Sequence, residues 1–213
     1  DPAGRGRALA VARKAVAAPR VELRSLAPGT LYARVPRFTR EVVEQFDEGL
    51  ADRSEATIAA VVLDLRDNPG GDPESMARVA GRLTEGTVWV EVARDGTETP
   101  RLAVGDGDLR LRMAARVVVL VNGGTAGTAE MLAAALRDNA AATLIGEPTA
   151  GRGTIQRFAP LADGPVLRLT VAHWRTPAGS SVDGTGIEPD RAVTDAAEQL
   201  EAAVSAAVAA EDA

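Results

Sequence analysis

Two stretches of the chain repeat one unit: a continuous apolar run, a glycine-rich turn and a helix with one apolar face. Ala59-Ala-Val-Val-Leu-Asp-Leu65 leads into Asn68-Pro-Gly-Gly71, and Arg116-Val-Val-Val-Leu-Val121 leads into Asn122-Gly-Gly-Thr-Ala-Gly127. An apolar run without polar alternation reads as a strand buried on both faces, as in a parallel sheet covered by helices. After the first run Asp72 is an N-cap and Pro73 the first helical residue, with Met76, Val79, Ala80 and Leu83 turned to the core. After the second, a helix over roughly 127–138 carries Met131, Leu132, Ala135 and Leu136 on its apolar side. The expectation is α/β: one core built of ββα units, with a mixed sheet and flanking helices.

Weaker signals fill in the rest. Val21–Ser25 alternates apolar and polar residues and pairs with Thr30–Val35 across the Pro28-Gly29 turn; Thr39 caps a helix whose apolar face is Val42, Val43, Phe46 and Leu50. Val88–Val92 reads as a strand before the hairpin signal Asp95-Gly96, and Thr143–Ile145, Thr154–Phe158 and Val166–Val171 read as later strands. Asp195-Ala-Ala-Glu198 opens a last helix with Leu200, Val204 and Val208 on one face. The division expected is a core over 21–194, a terminal helix over 195–213, and a linker or remnant of a preceding domain over 1–20, where Leu9 and Val11 give a weak strand signal.

Composition narrows the chemistry. Aromatic residues are 3% of the chain, so the core has to be built from Ala, Val and Leu. A net charge of −6 argues against nucleic acid, which needs a basic face. The absence of cysteine excludes a disulfide framework, a thiol nucleophile and a cysteine-bound zinc. No phosphate loop, dinucleotide fingerprint or zinc motif is present, and Gly105-Asp-Gly-Asp108 lacks the terminal glutamate of a calcium loop, so it reads as a turn. No cofactor and no metal are expected. No apolar run reaches the length of a membrane span.

Three runs carry the chemistry: Asp64-Leu-Arg-Asp-Asn-Pro-Gly-Gly71, Asn122-Gly-Gly-Thr-Ala-Gly-Thr-Ala-Glu130 and Gly151-Arg-Gly-Thr-Ile-Gln156. In this order, with Gly146-Glu-Pro-Thr149 before the third run and Thr176-Pro-Ala-Gly179 and Gly184-Thr-Gly-Ile-Glu-Pro-Asp190 after it, they resemble the catalytic core of the C-terminal processing (tail-specific) serine peptidases over roughly 20–193. That resemblance implies a ClpP/crotonase-like core, a Ser/Lys dyad and an extracytoplasmic setting, and it implies a peptide-binding PDZ domain ahead of the core. The family's serine stands three residues before the glutamate of the second run, hence at Gly127; its lysine, 25 positions on, falls at Arg152. Gln156 matches the glutamine that orients the lysine, and oxyanion-hole N–H groups come from Gly70 or Gly71 and from Thr128.

Both dyad side chains are therefore replaced. Glycine offers no nucleophile, and a guanidinium with a pKa above about 12 is no base near neutrality. The reading that follows is a pseudo-peptidase that binds a peptide, a protein C-terminus or a small ligand without cutting it. Its rival is a serine-type hydrolase with a relocated nucleophile. Thr125 and Thr128 flank Gly127 with hydroxyls, and His173 is the sole histidine, so a Ser180 or Ser181/His173/Asp183 set can be written down. A third reading is a scaffold with a vestigial cleft. Taken singly, each run has a plain structural explanation: a turn, a permissive N-cap with Glu130 at N3, a solvated arginine.

Overall fold

The computed structural model describes residues 20–53, 58–105, 111, 116–161, 164 and 166–208. The elements run β1 (Glu22–Ala27), β2 (Thr30–Arg34), α1 (Arg40–Ala51), β3 (Ala60–Asp64), α2 (Pro73–Ala80), β4 (Thr87–Ala93), β5 (Glu98–Leu102), β6 (Arg116–Val121), α3 (Thr128–Ala140), β7 (Thr143–Gly146), β8 (Thr154–Pro160), β9 (Val166–Arg175), β10 (Arg191–Ala192) and α4 (Ala196–Val208). Residues 1–19, with Leu9 and Val11, and most of the Gly105–Asp108 turn lie outside the described residues.

A six-stranded sheet has the order β1-β2-β3-β6-β7-β10; β1 pairs antiparallel with β2 and every other neighbour is parallel. A second, antiparallel sheet has the order β5-β4-β9-β8. The mixed-sheet α/β expectation holds. The two apolar runs became adjacent strands, with Val61 opposite Val117 and Asp64 opposite Leu120. They are buried on both faces, as their lack of alternation requires. Val61, Leu63, Val117 and Val119 pack with α1, α2 and α3; Val62, Val118 and Leu120 point the other way, toward α4.

The α1 and α2 faces fall where the spacing places them, and Thr39 and Asp72 accept from Val42 N and Ser75 N as N-caps. The α4 face does not. Its buried residues are Gln199, Ala202, Ala203 and Ala207, while Leu200 and Val204 are half-buried and Val208 is exposed. Alanines let the helix lie close on Tyr32, Val62, Val118 and Ile145, so the small residues take the inner stripe and the branched ones its flanks. Packed this way, α4 completes the second core cluster on the far side of the sheet.

Because β3, β6 and β7 are parallel neighbours, the segments that follow them emerge at the same edge. Chain topology alone therefore brings the Asn68–Gly71, Asn122–Gly127 and Gly146–Gly153 segments together, at the place where open α/β sheets carry their ligands.

Candidate active site

The three loops are stitched to one another by buried hydrogen bonds. Asn68, fully buried, donates through Nδ2 to Val35 O at 2.8 Å, accepts Gly70 N–H on Oδ1 at 2.9 Å, and takes Ala126 N–H on its carbonyl at 2.9 Å. Thr125 Oγ1 donates to Leu65 O at 2.8 Å and accepts Asn122 N–H at 3.0 Å; Ala150 N–H reaches Thr125 O at 3.0 Å. Asn68 and Thr125 each bind two loops at once, which fixes the relative position of the segments between them.

The strongest tie is Glu130. This side chain, fully buried at the third position of α3, accepts four donors. Gly127 N–H and Arg152 N–H come to Oε2 at 2.8 and 2.9 Å, and Gly151 N–H and the Thr149 hydroxyl come to Oε1 at 2.8 and 2.5 Å. Thr149 Oγ1 in turn accepts Ile187 N–H at 2.8 Å. One carboxylate thus clamps the start of α3 to the 151–152 turn, and its four partners offset the cost of burying its charge. In the sequence Glu130 is visible as half of a capping box; glycine at the N-cap supplies no other half. Its role across the loops shows only once the segment holding Thr149, Gly151 and Arg152 is beside it.

Gly127 is the N-cap of α3, at φ 58° and ψ −115°. A Cβ added there would meet no heavy atom within 4 Å, so a side chain at this position would project into open space. Gly70 packs against the start of α3 and Gly71 against Phe38. A Cβ on Gly70 would lie 3.1 Å from Thr128 N and from Thr128 Oγ1, and one on Gly71 (φ 152°) would lie 2.1 Å from Phe38 O, so that approach is open only to glycine. Gly70 N–H is spent on Asn68. Among the described residues, Gly71 N–H and Thr128 N–H donate to nothing, and the Thr128 hydroxyl is buried without a partner. Gly71 is therefore the one of the two glycines left with a donor to offer.

Arg152 sits in a turn whose flanking glycines are packed against the 183–186 loop: a Cβ on Gly153 would come 2.4 Å from Asp183 Cβ and one on Gly151 would come 2.8 Å from Gly186 N. Its carbonyl accepts Trp174 Nε1–H at 2.9 Å, which anchors the turn to β9. The Arg152 side chain is exposed and pairs with no group among the described residues. Gln156 turns away from it: its Oε1 accepts from Arg168 Nε on the paired strand β9. A glutamine orienting residue 152 is not seen here, because a neighbouring cation on β9 takes the amide oxygen instead.

The proposed stand-ins are placed less favourably. The Thr125 hydroxyl is locked between Leu65 O and Asn122 N in a site with no exposure, which rules it out as a free nucleophile. Thr128 Oγ1 has no base within bonding reach. His173 Nδ1 lies 3.4 Å from Asp183 Oδ2, but neither Ser180 nor Ser181 bonds to it; Ser181 bridges Arg175 at the end of β9 and Ser180 N–H donates to Thr176 Oγ1.

Below the cleft lies a second buried polar cluster that sequence reasoning missed. Tyr32 OH donates to Asp64 Oδ2 at 2.7 Å, and Arg66 forks onto the same carboxylate, Nη2 to Oδ2 at 2.6 Å and Nε to Oδ1 at 2.9 Å. Burial, and then the Asp64 hydrogen bond, push the Tyr32 phenol from 10.0 up to about 12. Burial works to raise the Asp64 carboxyl, but the Arg66 and Tyr32 hydrogen bonds outweigh it and hold it below its ordinary value. Arg66 also reaches Ala196 O and Gln199 Oε1, so the loop after β3 is tied to the start of α4. No grouping of His, Asp or Glu suited to a metal ion occurs among the described residues, and no helix of the described residues is long and apolar enough to cross a membrane.

The sequence profile of peptidase family S41 matches residues 29–193. A carboxyl-terminal-processing protease of Synechocystis sp. is 37% identical over 163 residues, 76% of this chain and 37% of the relative. Carboxyl-terminal-processing peptidase 2, chloroplastic, of Arabidopsis thaliana is 35% identical over 167 residues, 78% of this chain and 32% of the relative. Among solved structures, the photosystem II D1 C-terminal processing protease superposes with a TM-score of 0.73 at 31% identity, over 85% of this chain and 50% of that one. A Streptococcus agalactiae lipoprotein superposes with a TM-score of 0.76 at 20% identity, a likeness of fold. The chain spans about a third of the length of the curated relatives it matches.

Proposed function

The chain belongs to peptidase family S41, and from that premise we propose that it is a pseudo-peptidase, whose cleft binds a peptide or protein C-terminus without hydrolysing it. The observation that carries this reading is the pairing of Gly127 and Arg152 across one carboxylate. They stand where the resemblance puts the serine and the lysine, they are held together by Glu130, and neither can do the chemistry. Acyl transfer needs an attacking hydroxyl and a neutral base beside it. Gly127 has no hydroxyl, and Arg152 has no lone pair to accept a proton.

The rest of the expected scaffold supports retention of the cleft rather than its decay. The Thr128 N–H, next to the open space at Gly127, and the Gly71 N–H have no acceptor among the described residues, which supports a retained oxyanion hole. β8 is the outer strand of its sheet and starts two residues after Arg152, so an extended peptide could pair along it and end at the cleft. An extracytoplasmic location belongs to the same reading; the plant relative carries a chloroplastic designation.

Labelling with a fluorophosphonate probe tests it. The unaltered chain should remain unlabelled and should leave an unfolded substrate protein uncut over hours. A covalent adduct on any Ser or Thr, located by mass spectrometry, would replace this reading with a hydrolase that uses another nucleophile.

A further inference from the structure

We infer that loss of the dyad has turned the reaction centre into a carboxylate-binding site, formed by the N-terminus of α3, the Gly71 N–H and the Arg152 guanidinium. The inference rests on the reading of the cleft as a non-hydrolytic binding site and adds what that site recognises. Four observations converge. The space over Gly127 is open to beyond 4 Å. The N–H groups of Thr128 and Gly71 lack acceptors, and the adjoining Thr128 hydroxyl, in a residue 6% exposed, is unpartnered as well. Arg152 presents a guanidinium with no partner among the described residues. Finally, Gly127 N–H and Arg152 N–H touch the same Glu130 oxygen at 2.8 and 2.9 Å, which sets the two main chains well within an arginine side chain's length of each other.

The spot is thus rich in donors and poor in acceptors. α3 has 13 residues, long enough for its N-terminal end to favour an anion. An active dyad would have filled this space with a hydroxyl and a neutral amine; here there is a void and a permanent cation. A planar guanidinium matches a carboxylate through two parallel N–H bonds. The buried Glu130 charge directly behind disfavours a dianion such as phosphate, so a monoanionic carboxylate fits best. Two sources share that chemistry: the C-terminus of a peptide lying along β8, and a small free carboxylic acid.

The test is calorimetric titration of the whole chain at low ionic strength with N-acetyl-tetra-alanine as its free acid, the same peptide as its C-terminal amide, sodium acetate, and inorganic phosphate. The free acid is expected to bind about tenfold or more tightly than the amide, as loss of a charge-assisted hydrogen bond implies. Arg152→Gln, a change at an exposed side chain, is expected to abolish that difference without lowering the melting temperature. Acid tighter than acetate assigns the site to peptide termini, and acetate equal to acid assigns it to free carboxylates; both support the carboxylate site. Equal binding of acid and amide overturns it while leaving the peptide-binding cleft in place. Phosphate binding tighter than any carboxylate overturns it too. No saturable binding by either peptide form overturns this inference and the binding function together.

Discussion

Gly127 and Gly71 show how differently two glycines of positive φ constrain the chain. At Gly71 a Cβ would run into Phe38 O at 2.1 Å, and the residue holds φ at 152°. Gly71→Ala should therefore cost about 3 kcal/mol or more, since backbone has to move as well as adopt a disfavoured angle. At Gly127 only the angle matters, φ 58° with open space beyond. Gly127→Ser should cost roughly 1–2 kcal/mol and leave the fold intact. Urea unfolding of both variants checks the contrast; equal losses would mean that the space over Gly127 is not open. Glu130 is the residue on which both sides of the cleft depend. Glu130→Ala strands Gly127, Gly151 and Arg152 N–H groups and the Thr149 hydroxyl, and should destabilise by about 3 kcal/mol or more. Glu130→Gln keeps the shape but turns a donor toward donors, and should recover only part of that loss.

Among the elements, the buried parallel strands and the capped helices α1 and α2 were legible because each is fixed by a local signal: an unbroken apolar run, a Thr39 or Asp72 cap, an apolar face at helical spacing. β5 was not, because Glu98-Thr-Pro-Arg-Leu102 is exposed throughout and owes its existence to pairing with β4 beyond the recognised Asp95-Gly96 turn. β10, two residues long, forms only because β7 is there to pair with it. The α4 face was misjudged for a physical reason. Side-chain size marks Leu200 and Val204, but close approach to the sheet selects alanine. Ala203→Leu, at a site with no exposure, should then cost about 1–3 kcal/mol by overpacking, whereas Val208→Ala should be close to neutral. Thermal melting of the two variants distinguishes this arrangement from one in which the branched residues face inward. The three segments that the structure brings together were marked by motif order, but the clamp that joins them was not. Hydrogen bonds from residues 127, 149, 151 and 152 to one carboxylate arise from sheet topology, which no local pattern encodes.

Over the whole molecule, the Asp64–Tyr32–Arg66 cluster links the sheet to the loop after β3 and to α4, and it makes stability depend on pH at both extremes. Asp64 has a lowered value when folded, so the unfolded chain binds the proton more readily; its contribution is present above the ordinary carboxylate range and is lost as pH falls through it. Tyr32 has a raised value, so the folded chain holds the proton longer; its contribution is present below 10 and declines as pH rises toward about 12. Tyr32 is the chain's one tyrosine, so an absorbance titration reads it directly. A midpoint near 12, moving to about 10 in urea, is expected; a native midpoint near 10 would mean that Tyr32 is neither buried nor bonded to Asp64 as described. Tyr32→Phe should remove the alkaline loss and, by taking away one of the hydrogen bonds that lower Asp64, lessen the acidic one.

The central claim is that a peptidase cleft persists here without its dyad. The most direct measurement restores the dyad with Gly127→Ser/Arg152→Lys and follows cleavage of an unfolded protein and a C-terminally tagged peptide by mass spectrometry, beside the unaltered chain. Cleavage by the restored variant alone is the expected result, since the clamp and the free N–H groups are already in place. Cleavage by the unaltered chain would contradict the claim outright.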